Sequence, residues 1–213
     1  MSLSARLTSG LALAVAVQAC SNPASVLQWR SYAAQHVALR KVAVVPLYTG
    51  SEFVAGEVPH DIDGATAADL VGRFLTEAIA ERGRMVVAPS DLALAFTRDG
   101  RDTPRRDPQA AAEVAAAEFG ATGVLLGTVS RYRERTGEAL GASRPASVAF
   151  EVTLYAAPGG EKLWGARFDQ TQETLLANPL KASRYPGGGT RWLTAGELAR
   201  WGVTQMAKVL FSP

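Results

Sequence analysis

Lys41-Val-Ala-Val-Val-Pro-Leu47 is the stretch on which the fold turns. It is short, apolar at successive positions and rich in β-branched residues, the composition of a strand buried on both faces. Downstream, Leu70, Val71, Phe74, Leu75, Ala78 and Ile79 recur at helical spacing. Asp69, Arg73, Glu77 and Glu81 stand four apart on another face of that helix, and Gly83 is placed to end it. Arg84-Met-Val-Val-Ala88 then returns to the buried-strand pattern. Strand, helix and strand in this order predict a parallel βαβ unit.

The chain beyond repeats the logic and then departs from it. Ser90 and Asp91 predict a brief apolar turn through Phe96, and Arg98 to Arg106 reads as a solvated loop. Asp107 as N-cap with Pro108 in the first helical position starts a helix that ends near Gly120. Gly123-Val-Leu-Leu-Gly-Thr-Val129 is a third buried strand with a polar extension. Ser147 to Tyr155 alternates, with Val148, Phe150, Val152 and Leu154 on one face. Pro158-Gly159-Gly160 turns the chain, and Leu163 to Asp169 returns as the second arm of an antiparallel hairpin. Thr194 and Glu197 have capping-box spacing, with Leu193 and Leu198 at the positions of a hydrophobic staple. The predicted class is α/β: a mixed sheet with helices, ordered β-α-β-α-β-β-β-α, in which parallel βαβ units precede an antiparallel meander.

At the N-terminus, Arg6 precedes an apolar run of 13 residues from Leu7 to Ala19. A membrane-spanning helix needs roughly 20, whereas a secretory signal has this length and these flanks. The run closes as LALAVAVQAC on Cys20, the sole cysteine. It resembles the lipobox of bacterial lipoproteins, with Val17 and Ala19 on the pattern and Gln18 off it. The resemblance implies cleavage before Cys20 and attachment of acyl chains, palmitate among them, to that residue. Ser21 stands where an aspartate marks many lipoproteins for the inner membrane, which leans the expectation towards the outer membrane, facing the periplasm. The expected organisation is a signal peptide over 1–19, a tether over 20–38 and one periplasmic α/β domain over 39–213.

Charge is nearly balanced, 22 basic against 20 acidic residues, and no basic stripe of nucleic-acid type stands out. KVAVVPL, ADLVGRFLTEAIAERG, RMVVAPS and FGATGVLLGTVSRYRE, followed by SVAFEVTLYAAPGGEKLWGARFDQTQ, together resemble a periplasmic domain shared by several envelope lipoproteins. These include the curli-secretion lipoproteins and the lipoprotein activators of penicillin-binding proteins; the N-terminal domain of the Tol-system propeller protein is similar. The likeness spans roughly residues 39–172 and implies partner binding without catalysis. PGGGTRWLTAGELARWG lies outside the shared pattern.

Nucleophile elbow, zinc-protease, P-loop and C-x-x-C signatures are all missing from the sequence. His36 and His60 are the only histidines, and His60, Asp61 and Asp63 share one loop without a recognised metal-ligand spacing. No cofactor, metal or catalytic residue is expected. Gly187-Gly188-Gly189 lacks the lysine of a P-loop and reads as a hinge more than an anion cradle. Arg131, Arg133 and Arg135 alternate along one strand. With Tyr132, the first two are the candidate partner contact; the plainer reading is a charged extension that blocks edge pairing. Trp164, Trp192 and Trp201 have core-like contexts.

Two functional expectations follow. One is a membrane-anchored, non-enzymatic adaptor or assembly factor with a protein partner in the cell envelope. The other is a binding module for a small ligand or glycan, sited at the carboxyl ends of the parallel strands near the Tyr48–Asp63 loop, the Ser90 turn and Tyr132.

Overall fold

The computed structural model describes residues 26–31, 34, 37–55, 62–102, 106–174 and 176–212. The early strands are β1 (Val26–Arg30), β2 (Lys41–Val44), β3 (Tyr48–Ala55) and β4 (Met85–Val87). The later ones are β5 (Gly123–Arg133), β6 (Thr136–Glu138), β7 (Gly141–Arg144), β8 (Ser147–Ala156) and β9 (Lys162–Thr171). Helices are α1 (Gly64–Ala80), α2 (Pro89–Arg98), α3 (Pro108–Phe119), the short α4 (Pro179–Ala182) and α5 (Ala195–Leu210). The main sheet runs β1-β9-β8-β5-β2-β4, with β3 also pairing β5. The β2–β4, β2–β5 and β3–β5 pairs are parallel, whereas β5–β8, β8–β9 and β1–β9 are antiparallel. This is the mixed sheet predicted from the sequence.

The alternation of β2 explains the layers. Val42 and Val44 join one core with α1 and α5, while Ala43 and Val45 join a second core with α2 and α3. A strand feeding two cores must be apolar at every position, which is why KVAVV carries no polar alternation. β8 feeds chiefly the first core: Val148, Phe150, Val152 and Leu154 are each at most 1% exposed, while on its other face Glu151 is exposed and Tyr155 packs against the second core. The α2–α3 layer covers only the β4-β2-β5 side of the sheet.

Caps fall where chemistry puts them. Asp63 accepts from the Thr66 amide at the start of α1, and Asp107 from Ala110 at the start of α3. Gly120 closes α3 at φ 62°, a left-handed conformation that a side chain would strain. On α5, Thr194 and Glu197 form the reciprocal capping box.

Four expectations are corrected. The tether expected over 20–38 supplies β1, paired with β9 from Val26 opposite Phe168 to Arg30 opposite Trp164. Val26 is buried, the Gln28 side chain accepts from Trp164 Nε1 at 3.0 Å, and Arg30 donates to the Val209 and Leu210 carbonyls, both at 3.0 Å. Those carbonyls end α5, where the helix dipole favours a cation. The Tyr48–Asp63 loop begins as β3: Pro46 has no amide to give the ladder, so β2 stops and pairing with β5 resumes at Tyr48. The apolar turn expected from Ser90 is the ten-residue helix α2, with Pro89 in its first turn. The polar extension of the third buried strand runs within β5 to Arg133 as expected, but the element order lacked the β6–β7 hairpin that follows it.

Candidate functional site

A groove of about 760 Å³ lies between α1 and α2, beyond the carboxyl ends of β2 and β4. From β2 the chain continues through β3 to α1 on one face of the sheet, and from β4 it turns into α2 on the other. Adjacent parallel strands whose connections leave to opposite faces open a crevice, the general ligand position in open α/β sheets. Its lining is built from small and apolar groups, Leu47, Ala68, Gly72, Pro89 and Ala93 among them, and Asp69, Arg73 and Glu77 from α1 also line it. Glu77 is already paired with Arg200 at 2.5 Å. The hydroxyls of Thr66, Thr76 and Ser90 complete the lining; Thr76 donates to the Gly72 carbonyl at 2.9 Å and Thr66 to Asp63 at 3.0 Å. Among the described residues, no group of three or more histidine, cysteine, aspartate or glutamate side chains could hold a metal ion. No described helix is long and apolar enough to cross a membrane.

The structure separates the members of the arginine run. Arg131 follows a register shift in β5; its Nε donates to Ser147 Oγ at 2.7 Å and its guanidinium pairs with Asp169. Arg167 approaches the same carboxylate at 3.0 Å. Burial pushes the Asp169 carboxyl up, but the two guanidiniums outweigh it and hold it below its ordinary value. Tyr132 corrects the partner-contact reading: it points the other way, is 4% exposed and belongs to the α1–α5 core. Burial, helped by the charge of Glu134, raises its phenol well above the usual range. Arg133, half-buried, ends β5. The edge-blocking reading fails as well, because β5 lies between β8 and the β2–β3 line and has no free edge there.

The other singled-out residues are accounted for locally. Cys20, His36, His60 and Asp61 lie outside the described residues, and Asp63 is a helix cap. Gly187, Gly188 and Gly189 make a tight turn in the left-handed region, with φ of 77°, 67° and 74°. The Gly188 amide donates to the Tyr185 carbonyl at 2.9 Å, which removes it from any anion cradle. Trp164 is buried, as its context predicts, and Trp192 is half-buried with its amide donating to Ala139 O at 2.7 Å. Trp201 is half-buried in edge contact with Phe168 and Tyr185. Sequence reasoning missed Trp29, which lies over Gly165 on the sheet face away from α1 and α5, with Lys162 Nζ 4.5 Å from its ring centre. The signal was present as a glycine directly opposite a tryptophan, but it could be read only once β1 was known to pair with β9.

The chain matches no protein-family model, and no curated protein matches it significantly. Among solved structures it is similar to the PelC dodecamer from Paraburkholderia phytofirmans, at 18% identity and a TM-score of 0.51, covering 88% of this chain and 97% of that one. Also similar are the lipoprotein GNA1162 from Neisseria meningitidis (18% identity, TM-score 0.42, 67% and 93% covered) and the LpoB C-terminal domain from Escherichia coli (18%, 0.39, 64% and 85%). The likeness to PelC shows a shared fold.

Proposed function

We propose that this protein is a membrane-anchored, non-enzymatic lipoprotein that serves as adaptor or assembly factor for a cell-envelope protein complex, lipid-anchored at the outer membrane and facing the periplasm. The observation that carries the reading is Cys20 closing its apolar leader only six positions before β1. Six residues span at most about 20 Å of extended chain, so an acylated Cys20 would hold the folded body close to the bilayer. The end of the sheet where β1 begins also carries the β6–β7 hairpin and α4, with Leu140, Leu176 and Leu180 each at least 80% exposed. Exposed leucines on the membrane-proximal end accord with this orientation. PelC, which shares the fold, was solved as a dodecamer, and an assembly role accords with that.

Intact-mass analysis of the mature native protein tests the anchor. The expected product begins at Cys20 with the mass of added acyl chains, and Cys20→Ala accumulates as an uncleaved precursor. An unmodified thiol at Cys20, or unchanged detergent partitioning of the variant, overturns it. A second reading is favoured by the crevice between α1 and α2: a binding module for a small ligand or glycan. Cell-wall fragments and envelope metabolites added to the mature protein would then raise its Tm, and Gly72→Phe, which fills the groove, would abolish the rise. No stabilisation by any of them counts against this second reading.

A further inference from the structure

A second concavity, of about 470 Å³, runs along the outer side of α5. Arg184, Arg191, Arg200 and Lys208 line it, against the single carboxylate of Glu197. That is a concentrated positive field in a chain whose charges otherwise nearly cancel. Arg191 is held bidentately by Glu197, at 2.9 and 2.7 Å, and Arg200 reaches out of the groove to Glu77. Arg184 and Lys208 are exposed and have no carboxylate partner among the described residues. Trp201 shares the lining with them, half-buried and held by Tyr185 at 5.0 Å and Phe168 at 5.8 Å between ring centres. Tyr185 is only 2% exposed, so the indole rests on a rigid base.

We infer that this groove docks an acidic segment of the envelope protein partner, with an apolar side chain on Trp201 and carboxylates on Arg184 and Lys208. The inference rests on the adaptor reading and gives its partner a chemistry. A pre-positioned indole ringed by cations is the composition of a binding hot spot, where aromatic and arginine residues dominate. The unpaired cations provide complementarity and steering to a negatively charged peptide. The indole is what distinguishes a peptide carrying an apolar residue from a purely ionic polymer.

The test places the photo-crosslinker p-benzoylphenylalanine at Gln205, which lines the groove, in the full chain expressed in its native cells. Adducts are sequenced by mass spectrometry. The expected adduct is a peptide of another envelope protein with net negative charge and an apolar residue. Its yield falls about tenfold in the double variant Arg184→Glu, Lys208→Glu, as expected when steering charges are reversed. Both side chains are exposed, so the variant should keep its Tm and membrane partitioning. An adduct insensitive to charge reversal, an adduct to a neutral or basic peptide or to lipid, or no adduct at all overturns the inference. Unchanged membrane partitioning of Cys20→Ala with the adduct retained would sink the lipoprotein reading and leave this one standing.

Discussion

Gly202 lets α5 pack directly on the Phe168 ring of the sheet, and Gly202→Ala should destabilise the protein even though alanine is the better helix former. A Cβ there would stand 2.8 Å from Cγ, Cδ1 and Cε1 of Phe168. Favourable carbon contacts lie at about 3.5–4.0 Å, so the ring or the helix must move by roughly 1 Å. The ring has nowhere to go: Phe168 is fully buried, with Phe150 at 5.2 Å and Trp201 at 5.8 Å between centroids. Overpacking of this kind costs about 1–3 kcal/mol, and replacing a helical glycine with alanine returns up to about 1 kcal/mol. With three ring atoms at 2.8 Å and the ring fully buried, the cost falls in the upper part of that range, about 2–3 kcal/mol, leaving a net loss of about 1–2 kcal/mol. For a chain of this size that is a fall in Tm of roughly 2–8 °C. Urea denaturation followed by far-ultraviolet circular dichroism measures it. Phe168→Leu in the same background should recover part of the loss, a non-additive coupling expected of residues in contact. A Gly202→Ala variant as stable as the parent, or more so, would refute the reasoning.

Two further outcomes follow from the structure. Glu197 is lowered from 4.5 to about 2, chiefly by its hydrogen bond from Arg191 and against the upward pull of burial, with the Thr194 amide helping. A depressed carboxyl stabilises the fold above its unfolded pKa and loses that contribution as the pH falls through the folded value. Glu197→Gln should therefore cost about 1–2 kcal/mol at pH 7, the full linkage value being discounted because both partners are 39% exposed. The gap from the parent should narrow below about pH 4.5 and close towards pH 2; a gap that stays constant across this range in urea titrations contradicts the assignment. At Gly165, a Cβ would lie 2.5–2.8 Å from the Trp29 indole, so Gly165→Val should push that ring away and loosen β1. Hydrogen exchange of the β1 amides that bond to β9 should then accelerate roughly tenfold or more, and unchanged protection would show that the tryptophan does not hold the strand.

The βαβ core was legible because its signals are local and strong. KVAVV has no polar alternation, Asp107-Pro108 opens a helix, Gly120 closes it, and Thr194 with Glu197 caps α5. β1 was not legible, because Val-Leu-Gln-Trp-Arg shows no clean alternation: Gln28 faces inward to bond Trp164, and Trp29 covers a glycine on the other side. β3 was hidden by glycine and serine in its sequence and by the proline that interrupts the strand before it. The fate of Arg131 was equally hidden, since its partner Asp169 lies on a strand reached only through the hairpin.

The sequence by itself determined the element types of the core, the caps of α3 and α5, and the lipobox-like leader from which the envelope reading starts, because each depends on residues within a few positions of one another. Only the tertiary structure decided that β5 is internal, that Tyr132 is core, that β1 belongs to the sheet, and that Arg184, Trp201 and Lys208 line one groove. Those facts depend on which strands pair and which helix faces meet. Pairing is set by the packing of the whole chain, which no short stretch of it encodes.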